Sequence, residues 1–165
     1  MGLGGNLLFR ICREHAAFVE SGVIISAASR NAHNHPVIGR AVGCAVTDGD
    51  QRIKIFVSRR KYPLLLDAIH RSGALAVNFT EPSTNKSLQL KTTSAGVADL
   101  AIGDFDRANA YLDVLCADLD RIGSTALLAR TLLQVSPGEL AAVIFAPESA
   151  FSQTPGPVAG RQIVS

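Results

Sequence analysis

Ser58, Arg59, Arg60 and Lys61 put a hydroxyl and three cations into four consecutive residues, between "RIKIFV" and "YPLLLDAIHRSG". Phosphate chemistry suits such a corner. Ile53, Ile55 and Val57 alternate before it and read as one face of a strand. After it, Pro63 fits the first turn of a helix, Leu65, Leu66 and Ile69 form an apolar stripe, and Gly73 stops it. The cations therefore stand at a helix N-terminus, where free N–H groups and partial positive charge already favour anions. An acid there stabilises by roughly 0.3–1 kcal/mol, and a cation does the reverse. No acid appears before Asp67. A bound phosphate would remove the conflict by accepting from the N–H groups, from Ser58 and from a guanidinium fork. A solvated basic turn is the alternative.

Two further stretches carry suitable side chains. In "NKSLQLKT", Leu88 and Leu90 share one strand face, and Ser87, Gln89 and Lys91 share the other. That row of hydroxyl, amide and ammonium groups faces either water or a polar ligand. In "RAVGCAV", Ala41, Gly43 and Ala45 leave one face nearly bare. A flat ring could approach there, and close helix packing explains the pattern equally well. His33 and His35 in "NAHNHP" would share a face if extended, but no cysteine or acid completes a metal site, so the segment reads as a polar loop. The chain has no GxGxxG after a strand, no GxxxxGK[ST] and no GxSxG. The glycines of "MGLGGN" precede any strand and read as a terminal tail, and Cys44 reads as core.

The elements that must position these residues follow from periodicity and punctuation. A first helix is expected over about Asn6 to Ser21, then a strand, "SGVIISAAS", and a loop, "RNAHNHPVIG", with Pro36 and Gly39 as breakers. "RAVGCAV" and "RIKIFVS" form a hairpin pair around the Asp-Gly of "TDGDQ". "ALAVNFT" is a fourth strand, and "KSLQLKTTSAGVADL" a long fifth, bent at Gly96. A clear helix follows from Asp104, its expected N-cap, and a shorter one from Ser124 to about Gln134. "ELAAVIFAP" is a sixth strand before a polar tail. Hairpin connections dominate, which predicts an α+β domain: an antiparallel sheet or barrel with helices packed outside.

With 165 residues and no linker, residues 1–165 read as a single domain. Apolar residues make up 47% and charged residues 18%, which excludes disorder. A net charge of +2 does not suggest nucleic acid. No apolar run approaches the roughly 20 residues of a membrane helix. Arg10, Arg13 and Glu14 interrupt the amino-terminal stretch before a signal core can form. Cys12, Cys44 and Cys116 are widely spaced and read as reduced thiols of a cytoplasmic protein.

Taken together, "GVIISAAS", the His-Pro loop, "GRAVGCAV", "IKIFVSRRK", the helix ending at Gly73, "ALAVNF" and "KSLQLKT" resemble the pyridoxamine 5'-phosphate oxidase-like family of FMN-binding split barrels. The likeness covers about Gly22 to Thr93, and the tail "FSQTPGPVAG" adds to it. It implies a six-stranded antiparallel split β-barrel with helices outside. It further implies FMN, with Ser58, Arg59, Arg60 and Lys61 at the phosphate, Arg40, Ala41 and Val42 against the flavin, and Ser87, Gln89 and Lys91 presented from a later strand. A homodimer with flavin at the interface, a small-molecule substrate and oxidoreductase activity are also implied, with the substrate unassigned. The chain lacks the family's usual lysine near Ala45, has Thr92 where glycine is common, and has no histidine after His70. The carboxyl-terminal Arg-x-His substrate motif is thus absent, and vitamin B6 oxidation is not implied. Some split-barrel relatives hold haem or serve as non-catalytic ligand binders. In that alternative His33, His35 or His70 would be an axial ligand.

Overall fold

The hairpin connections expected between strands build one antiparallel sheet. The computed structural model describes residues 9–47, 49 and 51–163. Helix α1 (Arg13–Val19) leads into β1 (Ile24–Arg30), β2 (Pro36–Thr47) and β3 (Arg52–Ser58). Helix α2 (Pro63–Ser72), β4 (Leu75–Thr80), β5 (Ser87–Thr92) and β6 (Gly96–Ala98) follow. Helices α3 (Asp104–Arg121) and α4 (Ala126–Leu133), a 3-10 turn (Pro137–Glu139), β7 (Leu140–Phe145), β8 (Ser149–Ser152) and β9 (Gln162–Ile163) complete the chain. The sheet order is β6-β7-β3-β2-β1-β4-β5-β8-β9, with every neighbouring pair antiparallel. The ladder has nine strands where six were expected, and it does not close. No helix among the described residues is long and apolar enough to cross a membrane.

Several expectations shift. The "MGLGGN" tail, Leu7 and Leu8 lie outside the described residues, as do Asp48 and Asp50 of the hairpin; Phe9 to Cys12 are not helical, so the first helix runs from Arg13 to Val19 where about Asn6 to Ser21 was expected, and Gly49 takes the expected positive φ of 63°. "PVIG" is strand and not loop, because proline tolerates the first position of a strand, and Gly39 sits where α2 presses close. A Cβ on Gly39 would lie 2.8 Å from both Tyr62 and Leu65. The long fifth strand is two strands, β5 and β6, which pair with different partners. The tail contributes β8 and β9. Asp104 is the first residue of α3 and not its cap, and the cap of α4 is Thr125 and not Ser124.

The core lies on one sheet face, where Ile25, Val77, Phe79 and Leu90 are fully buried, and α2 packs against β1 and β2. A bulge in β2 then changes the alternation: Ala41 pairs with Val57, but the next partners are Cys44 and Ile55. The bare face predicted for Ala41, Gly43 and Ala45 is therefore split. Gly43, at φ 141°, backs onto Phe56 and onto Ala108 of α3, so helix packing accounts for it. Ala41 faces a cavity instead.

Candidate functional site

The three cations of the corner point in three directions, each toward an acceptor distant in sequence. Arg59 extends along the sheet end, where Nη2 donates to Asp99 at 2.7 Å and Nε to the carbonyl of Leu140 at 3.4 Å. Arg60 Nε donates to Glu139 Oε1 at 2.5 Å. Lys61 Nζ donates to two backbone carbonyls, Leu132 at 2.6 Å and Gln134 at 2.9 Å. Burial and the neighbouring Arg60 push the Lys61 pKa down, against a pull upward from Glu139. Ser58 is buried, and its Oγ accepts from the N–H of Lys61 at 3.1 Å, which fixes the turn into α2. Glu139 lies below the usual carboxylate range because the Ser136 N–H and then Arg60 stabilise its charge.

Lys61 alone of the four reaches a cavity of about 540 Å³ between the sheet, α3 and α4. Arg40 and Ala41 from β2 line it as well, so two segments singled out in the sequence meet there. The remaining wall is mainly apolar, with Tyr62, Tyr111, Leu115 and Leu133. The size falls in the roughly 300–1,000 Å³ range of small-molecule sites. Arg40 is exposed and makes no hydrogen bond or ion pair among the described residues. Tyr111 donates its hydroxyl proton to the carbonyl of Val23 at 2.7 Å, and burial pushes its pKa up, so it stays a neutral wall. Val42 is buried and away from the cavity.

Arg40 also begins a row across the half-exposed sheet face. Strand register places Arg40 opposite Ser26, Ser26 opposite Asn78, Asn78 opposite Gln89, and Gln89 opposite Phe151. Directly paired residues share a face. A parallel row carries Ile38, Ala28, Ala76 and Lys91. Gln89 Oε1 accepts from Gln153 Nε2 at 3.3 Å, and the Lys91 ammonium lies 4.6 Å from the centre of the Phe151 ring. Ser87 is buried and its hydroxyl lies 2.9 Å from that of Thr80. Asn78 donates to Thr80 Oγ1 at 2.9 Å, while its own Oδ1 is enclosed with no partner. Ser26 and Asn78 were passed over in the sequence. The signal was present: each is a polar residue flanked on both sides by apolar ones within its strand.

The histidines do not converge. His33 and His35 are exposed with ring centres 6.2 Å apart, and His70 is exposed on α2 beside Arg59. No group of three or more His, Cys, Asp or Glu among the described residues could hold a metal. All three cysteines are free, and burial, then Glu20, pushes the Cys44 thiol up.

The fold matches solved proteins. HupZ of Group A Streptococcus superposes with a TM-score of 0.55 at 15% identity, over 91% of this chain and 100% of that one. The chain has a pyridoxamine 5'-phosphate oxidase-like fold. An F420 reductase matches with a TM-score of 0.52 at 13% identity, over 85% of this chain and 98% of its own. A protein of the pyridoxinephosphate oxidase family from Clostridium acetobutylicum, related to general stress protein 26, matches with 0.50 at 12% identity, over 91% and 89%. No family model matches the chain, and no curated protein matches it in sequence.

Proposed function

We infer that this protein is an FMN-binding oxidoreductase on a split-barrel scaffold, acting as a cytoplasmic homodimer with flavin at the subunit interface. The observation that carries the reading is the meeting of Arg40 and Lys61 at one cavity of about 540 Å³. Two cations on an otherwise apolar wall suit a flat molecule with an anionic end. Lys61 and Arg40 would neutralise its phosphate. Ser26, Asn78 and Gln89, outside the cavity but on the sheet face that begins at Arg40, offer donors and acceptors for the polar edge of its ring. The strands β7-β3-β2-β1-β4-β5 are contiguous in the sheet and would form the six-stranded barrel, with β6 and the β8-β9 pair appended at its edges. Ile38, 68% exposed beside Arg40, supports a second copy covering that face.

The flavin would supply the hydride or electron transfer when bound. The chain itself binds, orients and shields. It neutralises charge through Arg40 and Lys61, excludes water with Tyr62, Tyr111 and Leu115, and keeps Tyr111 protonated. The test is the visible spectrum of the purified protein, alone and with added FMN, with mass identification of any small molecule it carries. A flavin band is expected, with Arg40→Ala binding FMN at least about tenfold more weakly, the loss of one charged hydrogen bond. A protein that stays colourless with excess FMN overturns the reading.

A further inference from the structure

Lys61 has two claims on it. It lines the cavity where the anionic end of a ligand is read to bind, and it caps the C-terminal end of α4 through the carbonyls of Leu132 and Gln134. Those carbonyls carry the partial negative charge of a helix end. They stand where an anion's oxygens would be.

Helix α4 is built to yield. None of its residues is fully buried: Ala126 and Leu133 pack half-buried against the core, while Leu127, Leu128 and Leu132 are 76%, 55% and 60% exposed. Besides Lys61, its polar ties are an exposed ion pair, Arg130 to Asp113 at 2.7 Å, and a contact from Cys116 Sγ to the carbonyl of Ala126 at 3.6 Å. Backbone turns bound it on both sides. Gly123 adopts φ 70° before it, and Ser136 precedes Pro137 after it. Beyond that turn the backbone is fixed to the sheet, because the N–H of Arg59 donates to Glu139 at 2.6 Å and Ser58 pairs with Leu140. Residues 124–135 lie between these fixed ends, with Ala126, Leu133 and Val135 half-buried against the core as their apolar hold.

We propose that α4 is a displaceable strap which occupies Lys61 in the ligand-free protein, and that an anionic ligand binds by taking Lys61 from it. A phosphate is a stronger acceptor than a backbone carbonyl because it is charged. Lys61 therefore follows the phosphate, and the last turn of α4 loses its cap. With no fully buried side chain and only the half-buried Ala126 and Leu133 to hold it, the helix loosens and the cavity widens along the wall formed by Ala129, Thr131, Leu132 and Leu133. The strap tunes the same site as the FMN reading and rests on it for the identity of the ligand.

Amide hydrogen exchange over residues 124–135 tests the strap without any ligand. Lys61→Met keeps an unbranched side chain, one atom shorter, and removes the charge. Exchange in this segment is expected to rise at least about tenfold in the variant, with α3 and the sheet unchanged. Unchanged exchange overturns the strap even if FMN binds. In the wild-type protein, added FMN should raise exchange in the same segment as binding saturates, and greater protection there overturns the proposal. Absence of any spectral change with FMN overturns the cofactor reading instead. Arg130→Ala, which loosens the strap from its other side, is expected to tighten FMN binding by about two- to fivefold, the value of an exposed ion pair. A merely structural α4 would leave that affinity unchanged or weaker.

Discussion

Helices α3 and α4 wall the same cavity and are held in opposite ways. Helix α3 is part of the core: Ala108, Tyr111, Leu112, Leu115 and Cys116 are buried along one face. Its first residue, Asp104, accepts from Lys54 Nζ at 3.0 Å and from the N–H of Ala101 at 2.8 Å, with both charged side chains largely enclosed. Helix α4 has no fully buried residue: Ala126 and Leu133 pack half-buried against the core, and polar groups supply its other ties. One wall therefore cannot move without unfolding the domain, whereas the other can move at the cost of a few half-buried apolar contacts and exchangeable polar ones. A site that must admit a ligand and then enclose it has use for both.

The largest effect should come from breaking the ion pair that anchors α3. Lys54→Met leaves Asp104 enclosed and uncompensated, and should lower stability by about 3–5 kcal/mol. Leu115→Ala comes next: Leu115 is fully buried, and removing its branched end should cost about 2–5 kcal/mol. Both are read from urea unfolding. A loss below about 1 kcal/mol in either would show that α3 is attached no more firmly than α4.

A polar tie outside the cavity sharpens the comparison. The Glu148 carboxylate accepts from the N–H of Thr93 at 2.9 Å, from the Thr93 hydroxyl at 2.8 Å and from the Thr92 hydroxyl at 3.2 Å, binding the end of β5 to the start of β8. These bonds, the backbone one foremost, hold its pKa below the usual carboxylate range. A lowered folded value means that the stabilisation is present above the unfolded pKa and is lost as pH falls through the folded one. Glu148→Gln should cost about 1–3 kcal/mol at neutral pH. The gap from wild type should close in acid, and a gap independent of pH would mean that the charge contributes nothing.

Much of this was legible in the chain. The order of helices and strands through β5, the stop at Gly73 and the buried stripe of α2 follow from periodicity and punctuation, which depend on near neighbours. What escaped depends on distant ones. The partners that separate the corner cations are Asp99, Glu139 and the carbonyls of Leu132 and Gln134, and nothing at "SRRK" announces them. The row from Arg40 through Ser26 and Asn78 to Gln89 exists only once register is set. Strands β8 and β9 have four and two residues, too short for alternation to show. The three-cation corner was legible as a concentration of charge, but which cation reaches a cavity was decided by the fold.

The smallest effect is the most diagnostic for α4. Leu128 is exposed, so Leu128→Ser removes little apolar burial and changes helix propensity only slightly; stability should move by no more than about 0.5 kcal/mol. A loss of the size expected for Leu115 would mean that α4 is packed after all, and the contrast between the two walls would fail. Unfolding at several protein concentrations adds a second distinction. If the loss grows with concentration, a second copy covers the helix, and the strap would be pinned by its partner instead of by Lys61. If the loss stays small at every concentration, the exposed face of α4 contributes no hold, Lys61 and Arg130 share the task with the half-buried Ala126 and Leu133, and a ligand that recruits Lys61 removes the cap.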